Sequence, residues 1–258
     1  MSFYPQIGTG TITQFPVGRT RTWRVITSVL ESGEQIVLPD TAAGQIAWGL
    51  SYVDLSDAET ALVSGLFTAC QGSFASFIFI DPLANLLGWS EDLSQPNWQT
   101  GLLSTASGIA DPLGTERAST MSNGSTGTQQ LTQTLGISGD YVACFSAYVR
   151  SNVAGSITIA RDGTQTVAAV GPQWARVYFS GAGTAGAAQS TFSISIAAGQ
   201  TVEVFGLQVE TQPYPSLYRV TEDALGIYPE TYFEDDELTV TATGVGLSSF
   251  PVKLISRV

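Results

Sequence analysis

Flat aromatic faces are the side chains in this sequence best suited to chemistry, since a tryptophan or tyrosine ring stacks on the C–H surface of a sugar while nearby amides and carboxylates take its hydroxyls. Trp98 follows Pro96-Asn97 in a polar stretch and is the first candidate for that role, with Trp89 and Tyr214 as companions. Trp174 and Tyr178 carry the same chemistry, but they share one face of an alternating run and read first as sandwich core. Catalysis has fewer parts to draw on. The chain has no histidine, which removes Ser-His-Asp and Cys-His nucleophile systems and the usual His-bearing zinc sites. A glycosidase needs only two carboxylates. Glu203 and Glu210 share a strand but fall on opposite faces by parity, and Asp235 and Asp236 are adjacent, so neither makes a natural acid/base pair. No catalytic residue is expected, and the chain reads as a non-enzyme.

Charge narrows the partners further. Ten basic residues stand against 22 acidic ones, for a net charge of −12, so phosphate surfaces are repelled and neither specific nucleic-acid binding nor attachment to an anionic membrane is expected. Arg19, Arg21 and Arg24 form the only basic cluster. The acidic run Glu234, Asp235, Asp236 and Glu237 is a plausible partner for it across a subunit interface, where opposite charges fix register and partner choice. That run lacks the spaced oxygens of a calcium loop and reads as a solvated turn; no metal and no cofactor are expected. Gly244-Val245-Gly246 is a hairpin turn, and Asn123-Gly124-Ser125 has the glycosylation pattern but reads as a surface loop. Cys70 and Cys144 sit among apolar residues and read as buried free thiols. No stretch approaches the ~18 apolar residues of a membrane span. The opening MSFYPQIGTG lacks the basic and apolar regions of a cleaved export signal.

The elements that would position these residues change texture along the chain. With 43% hydrophobic and only 12% charged residues, the 258-residue chain is folded and long enough for one or two domains. Residues 19–30 and 34–38 read as strands, and 45–53 as another that puts Ile46, Trp48, Leu50 and Tyr52 on one face. A helix runs from Asp57 to Gln71, with Ser56 as N-cap, Glu59 completing a capping box, a stripe of Leu62, Val63, Leu66, Phe67 and Cys70, and Gly72 at the close. Residues 74–80 are continuously apolar and are expected in the middle of the sheet. From Trp89 to Leu217 short strands near 128–135, 141–150, 155–161, 164–170, 173–180, 191–196 and 201–210 alternate with Gly, Asn, Asp and Ser, the pattern of a β-sandwich or jelly roll. Asp162-Gly163 marks a tight hairpin, and 181–190 reads as a flexible loop. The last hairpin, 238–243 with 250–256, is too short for its own core and must join the sheet of residues 19–80.

Two resemblances cover nearly the whole chain. The first 88 residues resemble the N-terminal domain of distal tail and related baseplate proteins of long-tailed bacteriophages, through Arg21-Thr22-Trp23-Arg24, Trp48-x-Leu50-x-Tyr52, Leu55-Ser56-x-x-Glu59, and Gln71-Gly72-Ser73-Phe74-x-Ser76-Phe77 leading to Asp81-Pro82. Phe233-x-Asp235-Asp236-x-Leu238 looks like the closing strands of that domain. The middle resembles the carbohydrate-binding-module jelly roll of phage tail and receptor-binding proteins. Its lead-in is Asn85-Leu86-Leu87 with Trp89-Ser90-Glu91-Asp92 and Asn97-Trp98, and its exit is Phe205-Gly206-Leu207-Gln208-Val209-Glu210 with Pro213, Pro215, Tyr218 and Thr221. In that family Gln208 and Glu210 look structural.

These likenesses imply a mostly β protein: a distal-tail-like β-barrel or sandwich with one helix, from residues 1–88 and 218–258, holding an inserted jelly roll at 89–217. They further imply a structural virion protein of a phage or phage-like tail tip, synthesised in the host bacterial cytoplasm. It would assemble with itself into a ring, a hexamer by the resemblance, joining the tail tube to hub or fibre proteins, with the insert contacting host-surface glycans. The alternative is a receptor-binding adhesin whose main role is carbohydrate binding.

Overall fold

A computed structural model describes residues 2–223 and 226–257. In chain order it contains β1 (Gly18–Val29), β2 (Gln35–Ser56), helix α1 (Asp57–Cys70) and β3 (Phe77–Ile80). Then come β4 (Leu103–Ile109), β5 (Ala118–Asn123), β6 (Gln129–Leu135), β7 (Ala143–Arg150), β8 (Gly155–Arg161), β9 (Thr164–Val170), β10 (Ala175–Gly181), β11 (Ser190–Ile196) and β12 (Thr201–Glu210). β13 (Ile227–Phe233), β14 (Thr241–Gly244) and β15 (Leu247–Arg257) close the chain. The protein is mostly β, and its three sheets are open, so among the described residues there is no closed barrel. Two compact units emerge: Met1–Gly8 with Ile12–Ile80 and Tyr228–Val258, and Thr9–Thr11 with Asp81–Ile227. Among the described residues no helix is long and apolar enough to cross a membrane.

The first unit is built on the order β1-β2-β15-β13-β3, with β14 paired to β15. The alternation of Ile46, Trp48, Leu50 and Tyr52 holds, and all four are buried; each contributes about 1.5–3 kcal/mol by leaving water. The stretches 34–38 and 45–53 prove to be parts of one long strand, β2. Ser56 accepts from the Glu59 N–H and Glu59 bonds back to the Ser56 N–H, which completes the capping box. At the other end Gln71 itself takes the left-handed conformation, followed by Gly72. Val63, Leu66 and Cys70 face the core, while Leu62 is 52% exposed. β3 lies at the end of the sheet order and not in its middle. Its apolar run is buried because the N-terminal segment covers its far side: Tyr4 N–H donates to Ile78 O at 2.9 Å and Ile78 N–H to Ser2 O at 2.8 Å. The terminal strand β15 pairs with β2 from Leu247↔Ser56 to Arg257↔Gln45, and β13 pairs on its other side.

Among the described residues, one part of this sheet stands without a third strand. Beyond the bulge between Thr22 and Arg24, residues Arg24–Val29 pair, among the described residues, only with Gln35–Asp40, since β15 reaches no further along β2 than Gln45. Trp23, Val25, Ile26, Val29, Val37 and Leu38 on this ribbon are 49–64% exposed.

The second unit is a sandwich of a five-stranded sheet, β10-β7-β12-β5-β4, and a four-stranded one, β6-β11-β8-β9. Phe145, Ala147, Val149, Val202 and Val204 point inward from the first, Leu131, Ile157, Ile159, Phe192 and Ile194 from the second. Phe145 and Phe192 meet edge-on at 5.7 Å. β4 and β5 went unread because LSTASGI and ASTMSN carry few apolar side chains and pair near one edge of the sheet. Asp162 and Gly163 both have positive φ (49° and 86°), as the tight turn after Arg161 requires. The stretch 181–190, read as flexible, is tied down: Gly183 N–H donates to Gly139 O at 2.8 Å, and the wholly buried Arg161 guanidinium donates to Gly181 O, Ser138 O, Tyr141 O and Ser190 Oγ. Burial pulls the Arg161 pKa down to about 10, against the opposing pull of Asp162 and Asp140. Both cysteines are buried and free.

Candidate functional site

The open face of the five-stranded sheet collects the chemistry. On its edge strand β10, Val177 and Phe179 point into the core, so Arg176 and Tyr178 point out, and Trp174 immediately before the strand continues their row. Tyr178 is 42% exposed and Trp174 half-buried, which corrects the reading of both as core. At ~3.3 Å per residue the two positions are about 13 Å apart along the strand. Next to Trp174 stands Arg150 of β7, its guanidinium 4.7 Å from the indole centroid. Arg150 Nε donates to the carboxylate of Glu203, directly opposite on β12. Beyond Glu203 the same face continues through Thr120, and one level up through Thr201 and Ser122, whose hydroxyls lie 3.0 Å apart.

A bulge sets this face. Between Phe205 and Gln208, β12 carries one residue more than β7, and Gly206 there has φ 62°. The extra residue reverses parity, so Glu203 and Glu210 lie on one face, not on opposite faces as simple alternation gave. They stand opposite Arg150 and Cys144, about 20 Å apart along the sheet, beyond the ~5–9.5 Å at which paired carboxylates cleave glycosides.

The lower half of the face is roofed by residues 211–222. Tyr218 packs on Phe205 at 5.1 Å, Arg176 donates to Ser216 O and Ser146 Oγ, and Gln208 Oε1 accepts from Arg219 N–H at 2.8 Å. Buried Glu210 accepts from Gln208, Gln212 and the Ser216 N–H and hydroxyl. Gln208 and Glu210 thus fasten the exit segment. Burial pushes the Tyr218 hydroxyl well above the ordinary tyrosine range, against the Ser90 hydrogen bond and with help from the Glu91 carboxylate. Burial pushes the Cys144 thiol up to about 12, helped by the Glu210 charge.

The residues first singled out for stacking are placed differently. Trp98 is only 5% exposed and its indole N–H donates to Trp89 O at 3.0 Å, so it braces the chain and offers no face. Trp89 is half-buried with φ 51° and its N–H bonds to Glu222 O. Tyr214 is 70% exposed in the exit segment. Arg150 was missed and Glu203 was weighed only as a catalytic carboxylate, although Tyr148 and Arg150 alternating with Ala147 and Val149 already mark an outward row. Asn123 is buried and donates to Gly127, Ile196 and Ala197 carbonyls, so it is no surface acceptor. The charges proposed for an interface are partly occupied within the first unit: Arg24 pairs with Asp40, Lys253 with Asp235 at 3.3 Å, and Asp236 accepts from Ser73. Arg19 and Arg21 are exposed on β1, as are Glu234 and Glu237 near β13.

No family model matches this chain, and the comparison with curated proteins found no match. Among solved structures, it is similar to the enzymatically active domain of tailspike protein 4 of bacteriophage CBA120, at 13% identity and a TM-score of 0.36, over 51% of this chain and 21% of that one. It is similar to a family 61 carbohydrate-binding module in complex with β-1,4-galactotriose (10%, TM-score 0.38, 49% and 97%). A third is the CBM22-1 xylan-binding domain of Xyn10C from Paenibacillus barcinonensis (13%, TM-score 0.39, 55% and 98%).

Proposed function

We propose that the second unit is a non-catalytic glycan-binding module, and that its open sheet face is the binding surface. Trp174 beside the Arg150–Glu203 pair carries this reading, with Tyr178 exposed four residues further along the same strand: an aromatic ring on the open part of the face, with a guanidinium, a carboxylate and three hydroxyls in reach. Such rings stack on sugar C–H surfaces and such polar groups take the hydroxyls. Calorimetry and affinity gels against neutral polysaccharides, xylan, β-1,4-galactan, mannan and β-glucan among them, test it. Trp174→Ala should weaken binding about tenfold, the factor that ~1.4 kcal/mol of lost stacking corresponds to. Wild-type protein that ignores every polysaccharide, or a Trp174→Ala, Tyr178→Ala double variant that binds unchanged, overturns the reading.

A second role, in assembly, is favoured by a separate observation, the apolar ribbon of the first unit. Two strands alone are marginal in water, and this pair exposes Val25 and Val37 on one side, Ile26 and Leu38 on the other. Covering it with copies of the same chain would make a ring of the tail-tip kind, docked between tube and hub or fibre proteins in a virion, and the glycan-binding unit would then be displayed many times. Light scattering and negative-stain microscopy of the wild type and of a Val25→Ser, Ile26→Ser, Val37→Ser variant test this. A wild type that stays monomeric at high concentration defeats it.

A further inference from the structure

At one end of the sandwich the loops Ser151–Ser156 and Ala197–Thr201 enclose a cleft of about 470 Å³, with Glu203 in its lining. We propose that this cleft is a second sugar subsite, joined to the sheet face through Glu203 and made for a neutral residue; the inference rests on the glycan-binding reading above.

Continuity comes from Glu203 itself. Arg150 Nε donates to its Oε2, and Oε1 has no hydrogen-bond partner among the described residues. A single carboxylate therefore borders the cleft and reaches Trp174 through Arg150, with one oxygen able to accept a hydroxyl. The volume falls in the ~300–1,000 Å³ range of small-molecule sites.

The walls are built in advance. Ser151 Oγ donates to Thr201 O at 2.8 Å, Gln200 Nε2 to Ser156 O at 3.0 Å, and Ala197 N–H to Gln200 Oε1 at 3.0 Å. Buried Asn123 holds the base of the second loop through its Nδ2 to Ala197 O at 3.0 Å and its carbonyl to Gly199 N–H at 2.8 Å. A cleft braced this way loses little ordering entropy when a ligand enters. Its open space follows from sequence: Ala154, Gly155, Ala197, Ala198 and Gly199 put almost no side-chain volume there.

Chemistry selects the ligand class. Among the cleft-lining residues the one charge is the Glu203 carboxylate, in a chain of net charge −12, so a uronate or other acidic sugar meets repulsion with no free cation to offset it. Asn152 and Ser156 side chains make no hydrogen bond within the described residues, which leaves an amide and a hydroxyl for neutral sugar hydroxyls.

The test uses oligosaccharides of two to six residues made from whichever neutral polysaccharide the intact 258-residue chain binds, with polygalacturonate oligomers as the acidic counterpart. In wild type, affinity should rise about tenfold once the chain is long enough to leave the aromatic row and enter the cleft, the factor equivalent to one or two net hydrogen bonds. Ala198→Trp, an exposed site chosen to fill the cleft, should erase that rise and leave the shortest bound oligomer unaffected; Asn152→Ala, which cannot block anything, should reduce it in part, with unchanged melting curves for both. Trp174→Ala should weaken all lengths alike. Loss of binding with Trp174→Ala combined with an intact length dependence in Ala198→Trp overturns the cleft and leaves the sheet-face reading standing. Tighter binding of polygalacturonate than of the neutral series overturns the neutral class, and no binding of any oligomer by wild type overturns both.

Discussion

Arg150 donates its Nε proton to the Glu203 carboxylate across the β7–β12 ladder, and the bulge at Gly206 lets that pair share a face with Gln208 and Glu210. Both side chains are partly in water, so the pair itself stabilises the fold by no more than about 1 kcal/mol. Its value lies in what it presents. Glu203→Ala should therefore lower the urea-unfolding free energy by less than about 1 kcal/mol while weakening glycan binding about tenfold, since a lost charged hydrogen bond is worth ~1.5–3 kcal/mol. Parallel urea melts and calorimetry separate the two effects; a large stability loss with unchanged affinity would make the pair purely structural.

Arg161 behaves in the opposite way. Its guanidinium has no exposure and donates to three backbone carbonyls and to Ser190, joining residues 138–141, 181 and 190. Removing one partner from such a buried cluster costs ~3–5 kcal/mol. Arg161→Met should destabilise the sandwich by that order in denaturant melts, and Arg161→Lys should recover little, because an ammonium cannot span the same acceptors. A melt within 1 kcal/mol of wild type would show that the carbonyls are satisfied without it.

At the start of α1, Glu59 is held below its usual carboxylate pKa of 4.5, first by the Ser56 hydroxyl, then by the Gly8 and Ser56 N–H groups. A carboxylate depressed in the folded state adds stability above its unfolded value, and that stability is lost as pH falls through the folded one. Wild type should thus lose stability below about pH 4.5, and Glu59→Gln should show a shallower acid loss. Ser56→Ala should cost about 1 kcal/mol at neutral pH through the missing N-cap. Thermal melts from pH 3 to 7 decide between these outcomes; identical acid slopes in wild type and Glu59→Gln would remove Glu59 from the account.

Much of this architecture was readable because it rests on short-range patterns. Period two in Ile46–Tyr52, the capping box at Ser56 and Glu59, and the Asp162-Gly163 turn each act within a few residues, and the sequence shows them directly. The binding face was not readable, for two physical reasons. A single inserted residue at the β12 bulge inverts which side chains share a face, and alternation cannot register it. Trp174 and Tyr178 were ambiguous because alternation says that two residues share a face without saying which face is in; the neighbouring Val177 and Phe179 decide that only once the second sheet is in place. Trp98 failed as a candidate because its polar flanks proved to be a turn that folds the indole inward onto Trp89 O.

The ribbon of the first unit yields a last prediction, about charge and self-association. Arg24 is engaged by Asp40 on the opposite strand, so reversing Arg24 would place two carboxylates side by side and weaken the hairpin itself. Arg21 is the cleaner probe, being exposed on β1 opposite Ile46. If opposite charges on neighbouring copies set the register of a ring, Arg21→Glu should shift the assembly toward monomer with its melting temperature unchanged. Raising salt from about 0.1 M to 1 M, which shortens the screening length from ~10 Å to ~3 Å, should shift wild type the same way. The apolar triple variant of Val25, Ile26 and Val37 should stay monomeric at every salt concentration, because it removes the buried area and not the steering. Sedimentation velocity at three salt concentrations reads all of these. An Arg21→Glu protein that assembles like wild type would leave the apolar ribbon as the sole determinant of association.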